Sequence, residues 1–82
     1  MKPVKKTLFS KLMKKTGLNR KDISDVLGIH ENSIRKLESG ERKATKQHIY
    51  SLILLITIIS TGKYSRLIDI IEESGVKNYK SH

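Results

Sequence analysis

The chain has 82 residues and carries 17 Lys and Arg against 8 Asp and Glu, which gives a net charge of +9. Its length suits one small domain over residues 1–82, and its lack of Cys excludes disulfides and thiolate metal sites, as expected for a protein of the reducing cytoplasm. The longest apolar stretch, Leu52–Ile59, is far shorter than the roughly 20 residues of a membrane span.

The first segment, residues 1–6, is a basic lead-in in which Pro3 discourages a helix. With Met1 present and lysines interrupting any secretory apolar run, we expect a whole small protein. A first helix is predicted over about residues 7–16, where apolar side chains recur at helical spacing and Gly17 then stops the helix.

Two short helices joined by a tight turn follow, at about 20–27 and 31–39. Asn19 is a good N-cap for the first, with Asp22 three residues later in the place of a capping box. Gly28 supplies the turn, and Gly40 ends the second helix. Two such helices are the arrangement that inserts a helix into the major groove of DNA.

The fourth helix is predicted at 46–60 and the fifth at 64–74, followed by a flexible tail at 76–82. In Ile49–Ile59, nine of eleven residues are apolar and six are β-branched, so a strand competes, but length favours a helix. A helix that is apolar nearly all round must be buried on more than one side. We therefore predict a homodimer whose interface contains Ile49, Leu52, Ile53, Ile56, Ile59, Leu67 and Ile71.

The third helix has an apolar side, with Ile34 and Leu37, and a polar side that we expect to face outward. Its polar residues suit base edges, because Asn pairs with adenine, Arg or Lys with guanine and Glu with cytosine. The alternative is an ordinary solvated helix face. The predicted base-reading residues are Glu31, Asn32, Arg35 and Lys36.

Positive charge is concentrated around these helices. Residues 1–48 hold 13 Lys and Arg and 5 Asp and Glu, whereas residues 49–82 hold 4 and 3. This asymmetry favours a polyanion-binding part followed by an assembly part, against the alternative of a merely soluble basic surface. Phosphate groups are expected at the helix N-termini near Asn19–Arg20 and Lys46, and beside Arg42 and Lys43.

Leu18–Gly40 resembles the helix-turn-helix of phage repressors and Cro proteins, the XRE-like family. The matching features are the Leu18-Asn19-Arg20 start, Ile23 on the inner face, Leu27-Gly28-Ile29 at the turn, and the closing Ser33–Gly40 segment. The resemblance implies an all-α, compact, five-helix lambda-repressor-like domain.

By position, the resemblance also implies base contacts from Glu31, Asn32 and Lys36, with Arg35 a further candidate. It implies phosphate contacts from Asn19, Arg20, Ser39 and Arg42, and structural roles for Glu38 and Gly28. Ser24 stands where the family usually has a small residue. His30 stands where the family usually has Ser or Thr, so either the helix begins a residue later or the imidazole approaches DNA.

These observations predict a transcriptional repressor that binds double-stranded DNA as a homodimer at an inverted-repeat operator, in a bacterial or phage-infected cell. Similar proteins act in phage, mobile elements or anti-CRISPR operons, often on their own promoters. We expect no enzyme, cofactor or metal site, because the three His are isolated and no catalytic constellation is persuasive. The alternatives are an antitoxin-like or adaptor interaction module with secondary DNA binding and, with less support, a membrane-surface protein.

Overall fold

A computed structural model describes residues 7–76 of the chain. Within them lie five helices: α1 (Leu8–Thr16), α2 (Arg20–Leu27), α3 (Glu31–Ser39), α4 (Lys46–Ser60) and α5 (Tyr64–Ser74). The described residues contain no strand, so the all-α, five-helix prediction is confirmed and the β-branched stretch of α4 is helical. The basic lead-in at residues 1–6 and the predicted tail after Val76 lie outside the described residues.

The core forms where α1 packs against α4 and α3, and where α2 packs against α3. Burial of apolar surface at these contacts is the main source of stability. Helix α5 packs on α4 and contributes no fully buried side chain. The buried apolar residues are Phe9, Met13, Ile23, Ile34, Leu37, Leu52 and Leu55.

Thr7 joins the start of α1 to the end of α3. Its hydroxyl oxygen accepts the Ser10 amide at 3.0 Å, which caps α1. The same hydroxyl donates to the carbonyl of Glu38 at 3.0 Å, and the carbonyl of Leu37 lies 3.4 Å away. Because carbonyls at a helix C-terminus lack helical partners, this contact both satisfies them and fixes α3 against α1.

Ser24 organises the turn between α2 and α3. Its backbone carbonyl accepts the Gly28 amide at 2.9 Å, and its hydroxyl donates to the carbonyl of Ile29 at 2.5 Å. Gly28 adopts a left-handed conformation with a φ of 71°, which other residues rarely adopt. Ser24 therefore has a structural use at this position, and the turn sets the angle at which α3 leaves α2.

The complete capping box lies at α4, not at α2. Asn19 accepts the Asp22 amide at 2.8 Å, but the two-way arrangement is formed by Thr45 and His48. Nδ1 of His48 accepts the Thr45 amide at 3.1 Å, and the Thr45 hydroxyl oxygen accepts the His48 amide at 3.3 Å. His48 thus has a capping role that the sequence analysis did not predict.

Among residues 7–76, no single helix has the length and apolarity of a membrane span. Helices α4 and α5 reach that length and composition only as a pair, across a bend of 119°.

Candidate nucleic-acid interface

Helix α3 presents a polar surface because its apolar residues are used inside. Ile34 and Leu37 are buried in the core, whereas Glu31, Asn32 and Arg35 are exposed and Lys36 is half-buried. The predicted orientation of the helix is thereby confirmed. All four side chains belong to the polar surface of α3. This helix has nine residues, and the major groove of DNA is wide enough to admit an α-helix.

Two of these side chains are already paired with each other. Nη2 of Arg35 donates to Oδ1 of Asn32 at 2.7 Å. A carbonyl oxygen has two lone pairs, so Oδ1 retains one site for a further donor, and the Asn32 amide nitrogen retains its donors. The pair therefore orients the Asn32 amide while leaving the donor and acceptor that adenine recognition requires.

His30 caps the N-terminus of α3. Its Nδ1 accepts the Asn32 amide at 3.2 Å, so the neutral ring carries its proton on Nε2. The helix begins at Glu31, and the alternative of a start one residue later is therefore wrong. The ring is exposed beside the polar surface of α3.

Two arginines flank α3 and contact its side chains. Nε of Arg20, at the start of α2, lies 2.8 Å from Oε1 of Glu38. Nη1 of Arg42, in the connector after α3, donates to Oγ of Ser33 at 3.3 Å. Glu38 thus has the structural contact that the family resemblance implied. As an exposed ion pair, Arg20–Glu38 contributes little to stability, but it positions a cation beside α3.

The other predicted phosphate-binding residues lie before α2, at the end of α3, in the connector and at the start of α4. Asn19 caps α2, and Oγ of Ser39 donates to the Lys36 carbonyl at 3.2 Å. Lys43 and Lys46 are exposed in the connector and at the start of α4. The first amides of α2 and α4 have no helical partners, and each side-chain cap bonds only one of them. Both N-termini therefore retain donors for phosphate oxygens.

The predicted dimer interface needs one correction. Leu52 is 0% exposed because it packs inside the core of its own chain, so it is not available to a partner. Ile49, Ile59 and Leu67 are half-buried against that core. Ile56 and Ile71 are half-buried too, and Ile53 is exposed.

Sequence reasoning missed the most exposed apolar residues of α4 and α5. Leu54 is 64% exposed, Tyr50 59% and Ile70 48%. The spacing of Tyr50 and Leu54 puts them on one side of α4. Leu54 also lines an apolar depression of about 190 Å³ with Val26, Leu27 and Leu67.

A second, more polar pocket of about 260 Å³ lies between α2 and α5. Tyr64 and Ile68 of α5 face Asp22 and Asp25 of α2 across it. Burial, followed by the negative charges of Asp22 and Asp25, raises the pKa of Tyr64 above its ordinary value. Across residues 7–76, no group of three or more His, Cys, Asp or Glu is arranged to hold a metal ion.

Comparison with known families gives a match that runs from α1 into α4. A family model described as helix-turn-helix matches residues 10–56, which is more than half of the chain. The matched segment includes the whole of α2 and α3 and ends before the last turn of α4. No curated protein and no solved structure matches the chain.

Proposed function

Given that the chain belongs to the XRE-like helix-turn-helix family of DNA-binding transcription regulators, we propose that it is a homodimeric repressor of an inverted-repeat operator. The observation that carries this proposal is the exposed polar surface of α3, anchored from behind by Ile34 and Leu37. A rigidly held helix can present the same side chains to every site it meets, which sequence recognition requires.

In this proposal α3 enters the major groove and reads base edges. Asn32 donates to and accepts from adenine, and Arg35 and Lys36 donate to guanine. Glu31, at the first position of α3, accepts from cytosine and repels phosphates that come too close. Discrimination then arises from these four side chains and the geometry in which α3 is docked.

The backbone contacts set that docking geometry. Arg20 and Arg42 each contact a side chain of α3, and in this proposal both bind phosphate groups beside the groove. Asn19, Ser39, Lys43 and Lys46 add further polar or positive groups around them. Such contacts fix the register of the protein on the duplex but carry no sequence information themselves.

Dimerisation is proposed to use the exposed side of α4 and α5. Large apolar side chains in water are unfavourable, and contiguous ones commonly mark contact surfaces. A two-fold pair brings two copies of α3 to successive major grooves about 34 Å apart, which matches an inverted repeat. Occupation of a promoter, including its own, is then sufficient for repression. The proposed site of action is the cytoplasm of a bacterial or phage-infected cell.

A second candidate function is an antitoxin-like or adaptor module that docks a protein partner. The exposed apolar side chains of Tyr50, Leu54 and Ile70 support this candidate. A different protein could cover them as effectively as a second copy of this chain. A protein that is stable only when co-expressed with its partner supports this alternative.

Selection of bound sequences from random double-stranded DNA tests the main proposal. We expect enrichment of an inverted repeat whose half-site centres lie about 10 base pairs apart or a multiple of that distance. Affinity for the enriched site should exceed that for scrambled DNA by about 10³ or more at physiological salt. Failure to enrich any sequence, with a folded protein, contradicts the proposal.

A further inference from the structure

A hollow lies beside the proposed DNA-facing surface, between the start of α1, the end of α3 and the connector to α4. Its volume is about 450 Å³. Small-molecule sites typically occupy about 300–1,000 Å³ and combine apolar walls with a few polar groups. We call it the α1–α3 hollow and define it by Leu8, Phe9, Arg42, Lys43, Ala44 and Ile49.

Much of the lining of the hollow is apolar, although Thr7 and Ser39 also contribute to it. Phe9 is buried and forms part of the floor, while Ala44 and Ile49 are half-buried at its sides. Leu8 is 57% exposed at the mouth, so much of its apolar surface remains in water. A ligand with an apolar body would cover this surface, which is favourable in proportion to the area removed from water.

The charged side chains of the described lining are all positive. Among the residues that the structure describes around the hollow, Arg42 and Lys43 carry charge and none is acidic. Neither cation takes part in the ion pairs formed between described residues, which join Arg20 to Glu38 and Lys21 to Asp25. An anionic head group is therefore the complement to this rim.

We propose that the α1–α3 hollow binds a small amphipathic monoanion, with an unbranched apolar chain against Leu8 and Ile49 and a carboxylate at Arg42 and Lys43. A consequence, which rests on the proposed function, is regulation: the carboxylate occupies two cations that otherwise bind DNA phosphates. The ligand thus acts as an effector that weakens operator binding. Reciprocity of the coupling means that operator DNA weakens ligand binding by the same factor.

The binding step is tested without DNA, by titrating the full isotope-labelled chain and following its backbone amide NMR signals. The probes are octanoate and octylammonium, both below their micelle-forming concentrations, acetate, and octan-1-ol below its solubility limit. Octanoate should shift the signals of Leu8, Gly40, Lys43 and Ala44. It should also bind about tenfold more tightly than each other probe, because only octanoate has both a long apolar chain and a carboxylate. Equal binding of octan-1-ol overturns the anion assignment, and equal binding of acetate overturns the apolar one.

Two matched variants locate the site. Leu8→Gln replaces an exposed leucine in the first turn of α1 and should weaken octanoate binding by about tenfold while leaving the helix folded. Val76→Gln makes a similar change at an exposed position that does not line the hollow, and it should bind octanoate as the wild type does. Equal affinity of the two variants overturns the proposed site.

Regulation is tested by measuring operator affinity with and without saturating octanoate. We expect weaker DNA binding for the wild type and Val76→Gln and a smaller loss for Leu8→Gln, which binds octanoate less tightly but keeps its DNA contacts. Unchanged operator affinity of the octanoate-loaded wild type overturns the regulatory role while leaving the binding site standing. Should no operator exist, the NMR titration still decides whether the hollow binds the anion, so the two proposals fail separately.

Discussion

Helix α3 buries Ile34 and Leu37 and leaves polar side chains outside, whereas helix α4 buries Leu52 and Leu55 and leaves apolar side chains outside. Both helices contribute to the same hydrophobic core, because each supplies two buried apolar residues. Their uncovered surfaces differ, and with them the partner that each surface suits. Polar groups with free donors and acceptors suit base edges and phosphates, while exposed apolar groups suit another protein surface.

The largest expected effect compares two leucines of α4. Leu52→Ala should lower the free energy of unfolding by about 2–5 kcal/mol, because it removes a fully buried side chain and leaves a cavity. Leu54→Ala, the matched control at an exposed site of the same helix, should change the free energy of unfolding of the monomer by less than about 0.5 kcal/mol. Urea unfolding at low protein concentration measures both. Equal losses would contradict the assignment of inside and outside on α4.

A charged residue on the exposed side of α4 tests whether that side contacts a second copy of the chain. Leu54→Lys should fold normally but yield monomers in sedimentation experiments at micromolar concentrations, where we expect a dimer for the wild type. Loss of the linked second half-site should weaken operator binding by about 10² or more. Ser65→Lys, an exposed polar residue on α5, controls for added charge. A wild type that sediments as a monomer would contradict the homodimer proposal.

Arg42→Ala tests the phosphate contacts beside α3. It should weaken binding to operator and scrambled DNA by similar factors, because phosphate contacts carry no sequence information. The dependence of log affinity on log salt should become less steep by about one. Arg66→Ala removes an exposed cation from α5 and is the control for net charge. A loss confined to the operator would reassign Arg42 to base reading.

The smallest expected effect concerns Tyr64 and alkaline pH. Its pKa is raised in the folded chain, so its contribution to stability is present below the unfolded pKa of about 10 and is lost as the pH rises through the folded pKa. Tyr64→Phe should therefore lose less stability than the wild type above pH about 10. Tyr50→Phe is the matched control, because Tyr50 does not line the pocket with Asp22 and Asp25. Equal changes in both variants would contradict this account.

Much of the fold follows from local sequence patterns. Glycines at positions 17, 28 and 40 each end a helix in a left-handed conformation, and the apolar spacing of α3 gives its orientation. In α4 the near-uniform apolarity conceals which side is buried, and Leu52 was for this reason wrongly assigned to the interface. The hydrophobic pattern carries no signal when both faces of a helix are apolar.

Contacts between residues that are far apart in the sequence were the other feature that sequence analysis did not predict. The bond from Thr7 to Glu38 and the ion pair of Arg20 with Glu38 join residues that local patterns do not connect. The capping role of His48 was also missed, because Thr-X-X-His is a weaker capping signal than the usual Thr-X-X-Glu. The two contacts of Glu38 connect α3 to Thr7 and Arg20, so they help to set the orientation of α3 without appearing in any motif.

The most direct test of the central claim, that α3 reads DNA sequence, is the specificity ratio of Asn32→Ala, measured by gel shift on the selected operator and on scrambled DNA. The account predicts that operator binding weakens by about 1–3 kcal/mol while binding to scrambled DNA changes little. Asn32→Ala with the wild-type ratio would contradict the claim.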